Sequence, residues 1–395
     1  MRKAEREWKS QIQPNLFVSV CRGQLCLGYG ILAKVNHWLP GRTTKYSMQS
    51  FFAPAATPST QRSDLVWETL PSGPAPRLDA GGVQIGHLLY CIGGYTSQDH
   101  VLDVIDVFDL AECRWTDQIQ MPDSMPQSHL ALACESNRYI YSAGGQLGAR
   151  CSPAVATALV FDTHHNSWNS LPSLPAPRYA PTMQLWRGRL HVMGGAMPDR
   201  TTPANEHWSL RVENGRPSED EWKVERPIPR GGGHRASAVV ANRLYLFGGQ
   251  EGDFEPISSD PNCSCSGETI ETVFPDSYRL ETGGANWVRV PDMLEQSSHT
   301  EFSILVQGPL VIIFGGSRYK HPQTFDIELT DTIQVFDTRD EKWHILGNLP
   351  FRVKTLLTAF YEGWIYATAG QRDISPDDPR PGAVVSDTWR TRLLL

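Results

Sequence analysis

Five Gly-Gly pairs punctuate this chain of 395 residues, at Gly93-Gly94, Gly144-Gly145, Gly194-Gly195, Gly248-Gly249 and Gly315-Gly316, with a worn sixth copy at Ala369-Gly370. Self-similarity at a period of ~50 residues is the signature of a repeat architecture, and it restricts the fold more than any local propensity does. The best-written copy is residues 175–195, PAPRYAPTMQLWRGRLHVMGG. A Pro-rich corner leads to an apolar segment, a polar turn at Arg187-Gly188-Arg189, and a second apolar segment that runs into the glycines. Two short apolar segments joined by a Gly-containing turn read as a β-hairpin.

The same hairpin precedes each pair, its second strand at 88–92, 139–142, 190–193, 244–247, 310–314 and 364–368. A third strand is predicted after each pair, at 104–108, 156–161, 206–210, 276–280, 332–336 and 385–389. A fourth opens on a tryptophan: Trp115, Trp168, Trp222, Trp287 and Trp343. Each unit is therefore a four-stranded antiparallel sheet that cannot bury both faces alone, and radial stacking of such sheets gives a β-propeller. The last copy lacks a fourth strand, and an orphan strand at about 65–70, with Trp67 in the repeated place, supplies it. The reading is an all-β, six-bladed propeller over 64–395 whose last blade is closed by the N-terminal strand, leaving no open sheet edge.

Residues 1–63 carry no repeat and read as a disordered leader or a degenerate targeting segment. Its apolar stretch is interrupted by Arg22, Gln24 and Lys34, so it falls short of the ~20 apolar residues of a membrane span. A net charge of −7 argues against nucleic acid as the main partner. Cys91 and Cys134 lie in apolar runs and read as buried thiols. Cys151, Cys263 and Cys265 lie in loops, where the compartment decides between a disulfide and free thiols. Asn262-Cys263-Ser264 matches a glycosylation sequon.

The period, the glycine pairs and the later tryptophan resemble the kelch-repeat superfamily over residues 65–395. The segments PRYAPTMQLWRGRLHVMGG (177–195), HWS (207–209), PIPRGGGHRA (227–236), GGQEGDF (248–254) and GQRDISPDDP (370–379) look most like a plant kelch family of unassigned activity, associated with the Golgi. That resemblance implies a secretory-pathway location, with the cytoplasm as the alternative. Kelch propellers host oxidases, epimerases, adaptors and scaffolds, so the fold leaves the activity open. No cofactor is implied: nothing marks the copper site of galactose-oxidase-type enzymes, the iron motif of nitrile-specifier proteins, a P-loop or a dinucleotide fingerprint.

In a propeller of this strand order, the loops before the innermost strands and those after each Gly-Gly pair open on one face. They carry Arg77, His129, Arg178, Tyr179, His234, Arg235, His299, Glu301, Lys354 and Arg372, read as a ligand-binding ring. Convergent cations with a few acids suit an acidic glycan or a protein partner. An alternative is ion pairing that stitches blades together. A second is an epimerase- or mutarotase-type enzyme at the same mouth, with Glu301 beside His234 or His299 as acid and base. A third is a cytosolic ubiquitin-ligase adaptor, although the leader is shorter than a BTB module and lacks an F-box Leu-Pro pattern. No close-spaced ligand motif marks a metal site, although His129, His234 and His299 sit on three blades that would aim them at the axis.

Overall fold

A computed structural model describes residues 15–21, 24–30, 65–97, 100–125, 128–148, 152–253, 255–256, 265–266, 271–281 and 286–393. The chain divides into two compact units, Met1–Thr57 and Pro58–Leu395. In the first, Asn15–Cys21 and Gln24–Gly30 pair as an antiparallel hairpin. The other leader residues lie outside the described ones, as do Cys151, Cys263 and the sequon Asn262.

The second unit contains, among the described residues, six sheets of the predicted kind. Blade 1 runs Gly81–Ile85, Leu88–Ile92, Val104–Asp109, Arg114–Gln120. Blade 2 runs Ala131–Glu135, Tyr139–Ala143, Ala158–Asp162, Ser167–Ser170. Blade 3 runs Thr182–Trp186, Arg189–Met193, His207–Glu213, Lys223–Val224, with a short extra strand at Arg216–Pro217. Blade 4 runs Ala236–Val240, Arg243–Phe247, Ser277–Leu280, Trp287–Val290. Blade 5 runs Ile304–Gln307, Leu310–Lys320, Ile327–Asp337, Lys342–Asn348. Blade 6 runs Leu357–Tyr361, Trp364–Thr368, Thr388–Arg392 and then Trp67–Leu70, with Trp67 opposite Thr391. The innermost strands touch in blade order, and the sixth returns to the first.

Blade 6 differs in register from the sequence reading, which placed its third strand at 385–389. A hairpin, Gln371–Ser375 with Asp378–Val384, intervenes and pushes that strand to Thr388–Arg392. Blade 5 is also extended, its second and third strands having 11 residues each where blade 4 has 5 and 4.

The core lies between blades. Tyr141, Val160 and Leu171 of blade 2 pack with Leu190, Trp208 and Leu210 of blade 3, which is why the hairpins read as continuous apolar runs. The repeated tryptophans add a polar link. Nε1 of Trp115, Trp222, Trp287, Trp343 and Trp67 donates to the carbonyl of Pro71, Pro172, Arg226, Pro291 and Asn348, each at the end of the preceding blade. The glycine pairs allow close approach. At Gly195, φ is +89°, and a Cβ would lie 2.5 Å from the Tyr179 carbonyl oxygen.

Candidate functional site at the propeller axis

That close approach builds the site. The residue after each glycine pair bridges the residue just ahead of the neighbouring loop's tip: Tyr95 with Leu78, Gln146 with Ser128, Ala196 with Tyr179, Gln250 with Gly233, Ser317 with Ser298, Gln371 with Lys354. The next residue in each blade then takes a left-handed backbone: Asp79, His129, Ala180, His234, His299 and Thr355, with φ from 42° to 59°. Their backbones hydrogen-bond around the axis, His129 N–H to Asp79 O, Ala180 to His129, His234 to Ala180, and Thr355 to His299, at 3.0–3.2 Å. Asp and His tolerate this backbone better than β-branched residues do. Six blades thus deliver six side chains to one point, three of them imidazoles.

His129, His234 and His299 are all buried. His234 Nδ1 donates to Glu301 Oε1 at 2.6 Å, and its ring stacks on His299 with centroids 3.8 Å apart. His129 Nε2 lies 3.5 Å from Asp79 Oδ2. Burial would depress His234, but the charge and hydrogen bond of Glu301, with Asp253 and Asp79 behind them, raise it to about 9. Burial and then the nearby Arg200 and His234 charges hold His129 well below the usual range. Burial and then His234 and Lys354 do the same to His299. One imidazolium therefore sits between two neutral imidazoles. Arg200 pairs with Asp253 at 3.4 Å and lies over the Tyr179 ring, and Lys320 pairs with Glu271 at 2.9 Å, just outside this cluster.

The structure buries or displaces from the axis most of the residues read as a ligand ring. Arg77 is buried, bound to Asp106 and to the carbonyl of Gly93 within its own blade. Arg178 is buried against Glu206 at 2.8 Å and over Trp208. Arg235 is buried with Asp276, the Gly248 carbonyl and the Phe274 ring, and burial pushes its guanidinium down to about 10. Tyr179 is buried, its hydroxyl donating to Ser152 O. The three arginines brace their own blades because a buried guanidinium needs a carboxylate, and the third strand of the same sheet, or the residue just ahead of it, supplies one; Tyr179 instead links its loop to that of blade 2. Lys354 is buried beside the axis, one residue ahead of the true tip, Thr355. Arg372 lies away from the axis, half-buried, paired with Asp387 at 3.1 Å and stacked on Phe351. His129, His234, His299 and Glu301 do converge. Asp79 belongs with them, and Thr355 was missed; aligning the six loop tips by their distance from the following strand would have found it.

The acid–base pair proposed for sugar chemistry exists, as Glu301 with His234, but its cavity is small. Asp79, His129, His234, Glu301, Phe302 and Thr355 help enclose about 10 Å³, room for one water or ion and far below the ~300 Å³ of a small-molecule site. Two larger hollows are present among the described residues. The channel of about 570 Å³ between the innermost strands reaches Glu301 and Phe302 but is not lined by the imidazoles. A groove of about 460 Å³ lies between blades 5 and 6, lined by Phe351, Arg352, Arg372, Asp373, Ile374 and neighbours.

Comparison with known proteins agrees with this architecture. A domain described as the KLHDC2/KLHL20/DRC7 Kelch-repeats domain matches residues 79–263. A kelch repeat-containing protein of Arabidopsis thaliana is 41% identical over 330 residues, 84% of this chain and 76% of that protein. The chain belongs to the kelch-repeat family. Among more distant kelch proteins, Kelch-like protein 25 of Xenopus tropicalis is 21% identical over 75% of this chain and 45% of its own length. The solved structure of YjhT superposes on this kelch propeller with a TM-score of 0.61 at 13% identity, covering 81% of this chain and 95% of that one, a likeness of fold alone. Kelch-repeat proteins generally mediate protein interactions. Among the described residues, no helix is long and apolar enough to cross a membrane.

Proposed function

We propose that this kelch propeller is a protein-binding module whose docking surface is the extension of blades 5 and 6 on the Gly-Gly-loop face. The observation that carries this reading is how the charges are spent. The guanidiniums of Arg77, Arg178 and Arg235 are buried on carboxylates, which leaves them unsuited to gripping an acidic glycan. The blade 5–6 extension instead exposes Ile374 on the groove holding Phe351 and the half-exposed Arg352 and Arg372, and Tyr319 on its blade 5 strand. An apolar and aromatic patch ringed by partly neutralised arginines is the usual make-up of a protein interface. The fitting partner is a protein segment that inserts an apolar side chain beside Phe351 and sets carboxylates against Arg352 and Arg372.

Affinity capture with Ile374→Asp and Tyr319→Ala, against Val288→Asp on an outer strand, tests the assignment. A partner retained by Val288→Asp and lost by both extension variants supports it. A saturable thermal shift with an acidic sugar, abolished by Arg372→Ala, would overturn it in favour of a glycan ligand. Placement in the secretory pathway is part of the proposal, and an endoglycosidase-sensitive mass shift that depends on Asn262 is its test.

A further inference from the structure

The channel between the innermost strands plays no part in that docking surface, and its wall is finished on one side only. It reaches from Glu301 to Gln307, where the innermost strand of blade 5 ends. An innermost strand has no neighbour on its axial side, so alternate residues direct backbone N–H and C=O groups into the channel. In blades 4, 5 and 6, side chains engage these groups. Gln184 Nε2 donates to Ser237 O at 2.9 Å, and Thr358 Oγ1 to Ile304 O at 3.1 Å. Gln84 Nε2 donates to Phe360 O at 2.8 Å, and its Oε1 accepts from Phe360 N–H at 2.9 Å. By ladder register, the corresponding positions of blades 1, 2 and 3 are Gly82 and Gln84, Leu132 and Cys134, and Met183 and Leu185. All six line the channel, and among the described residues no side chain caps their backbone groups. Blades 1 to 3 therefore offer free strand edge where blades 4 to 6 do not.

Charge and shape restrict the occupant further. Glu301 is the one charged residue among the described residues lining the channel. His234 already supplies its counter-charge at Oε1, and Oε2 has no hydrogen-bond partner among the described residues. An ionic ligand of either sign would give up its hydration here without a matching charge. Leu185, Val306 and Phe360 hold equivalent places in blades 3, 5 and 6, and Val306 is 39% exposed although it belongs to an innermost strand. The volume of about 570 Å³ lies within the ~300–1,000 Å³ of small-molecule sites.

We propose that the channel binds a small uncharged molecule whose amide-type group pairs with the free strand edges of blades 1 to 3 and whose apolar body packs on Leu185, Val306 and Phe360. An amide carries a donor and an acceptor side by side, the pattern that a strand edge presents. A ligand N–H directed at the Glu301 end of the channel meets Oε2, the oxygen that His234 leaves free.

Calorimetry of the full chain with benzamide, benzoate and benzylamine tests this, because the three share a ring and differ in the polar group. The expected result is one benzamide per chain, with both ions at least ~10-fold weaker. Val306→Trp fills the channel and is expected to abolish uptake, whereas Val224→Trp on the outer strand of blade 3 leaves it unchanged. Absence of benzamide uptake by the wild type overturns the proposal. So does an ion that binds as tightly, or uptake that Val306→Trp leaves intact. If Val306→Trp fails to fold, alkylation of Cys134 on the wild-type chain decides, read by mass spectrometry. Slower modification of this channel-lining thiol under saturating benzamide supports the site, and an unchanged rate overturns it.

Discussion

His234 of blade 4 and Glu301 of blade 5 meet across the blade boundary, Nδ1 to Oε1 at 2.6 Å, with Glu301 side-chain exposure of only 13%. This pair ties two blades at the axis and holds a charge on the one imidazole that burial alone would neutralise.

Removing the carboxylate leaves that imidazole buried without its counter-charge. Glu301→Ala is expected to lower stability by ~3 kcal/mol, as for other broken buried pairs. Glu301→Gln keeps an acceptor and is expected to cost about 1 kcal/mol. Urea denaturation measures both. Both variants remove the charge, so equal effects of the two would mean that the acceptor retained by Gln contributes nothing.

Arg77 braces blade 1 through Asp106 and the Gly93 carbonyl. Arg77→Ala strands Asp106, which is fully buried, and is expected to cost ~3–5 kcal/mol. The double replacement Arg77→Met, Asp106→Leu removes both charges and is expected to recover most of the loss. Thermal melts of the three variants check it, and a double variant as unstable as Arg77→Ala contradicts it.

The repeated tryptophans carry a hydrogen bond as well as bulk. Trp343→Phe removes the Nε1 donor to Pro291 O at 2.9 Å and part of the ring that packs on Phe336 and Phe247. The expected loss is ~2 kcal/mol, about half from packing and half from the unpaired carbonyl. Denaturant midpoints that stay at the wild-type value would assign the indole a purely decorative role.

A second buried histidine pair predicts a pH response. His191 Nδ1 and His207 Nε2 lie 2.8 Å apart in blade 3, and His207 Nδ1 donates to Arg226 O. Burial, and then the neighbouring His207, pushes His191 down to about 3; burial brings His207 to about 4. Both folded values lie below the unfolded value of ~6.5, so the unfolded chain binds protons first as pH falls. Stability is therefore complete above about pH 6.5 and is lost as pH drops toward about 3–4. Between pH 7 and pH 4.5 the expected loss is about 2 kcal/mol for each histidine. Urea titrations at the two pH values, with His191→Gln and His207→Gln as comparisons, should show a shallower dependence in the variants.

Repeat class, strand order and inter-blade tryptophans are legible in the chain because glycine pairs and apolar alternation are local consequences of how a strand leaves a crowded axis. Gly195 cannot carry a side chain 2.5 Å from a carbonyl, and that constraint is written in the sequence itself. Charge placement is not local. Arg77, Arg178 and Arg235 read as a ring at the mouth, yet each folds onto a carboxylate of its own blade's third strand or the residues just ahead of it, 28 to 41 positions downstream. The shift from Lys354 to Thr355 at the axis is likewise decided by a bridge to Gln371, a pairing that no stretch of sequence around residue 354 specifies. The sequence by itself determined the repeated blade. Only the tertiary structure decided which side chains the blades bring to the axis, because a left-handed turn of one residue per blade sets whether a side chain faces the channel or the core.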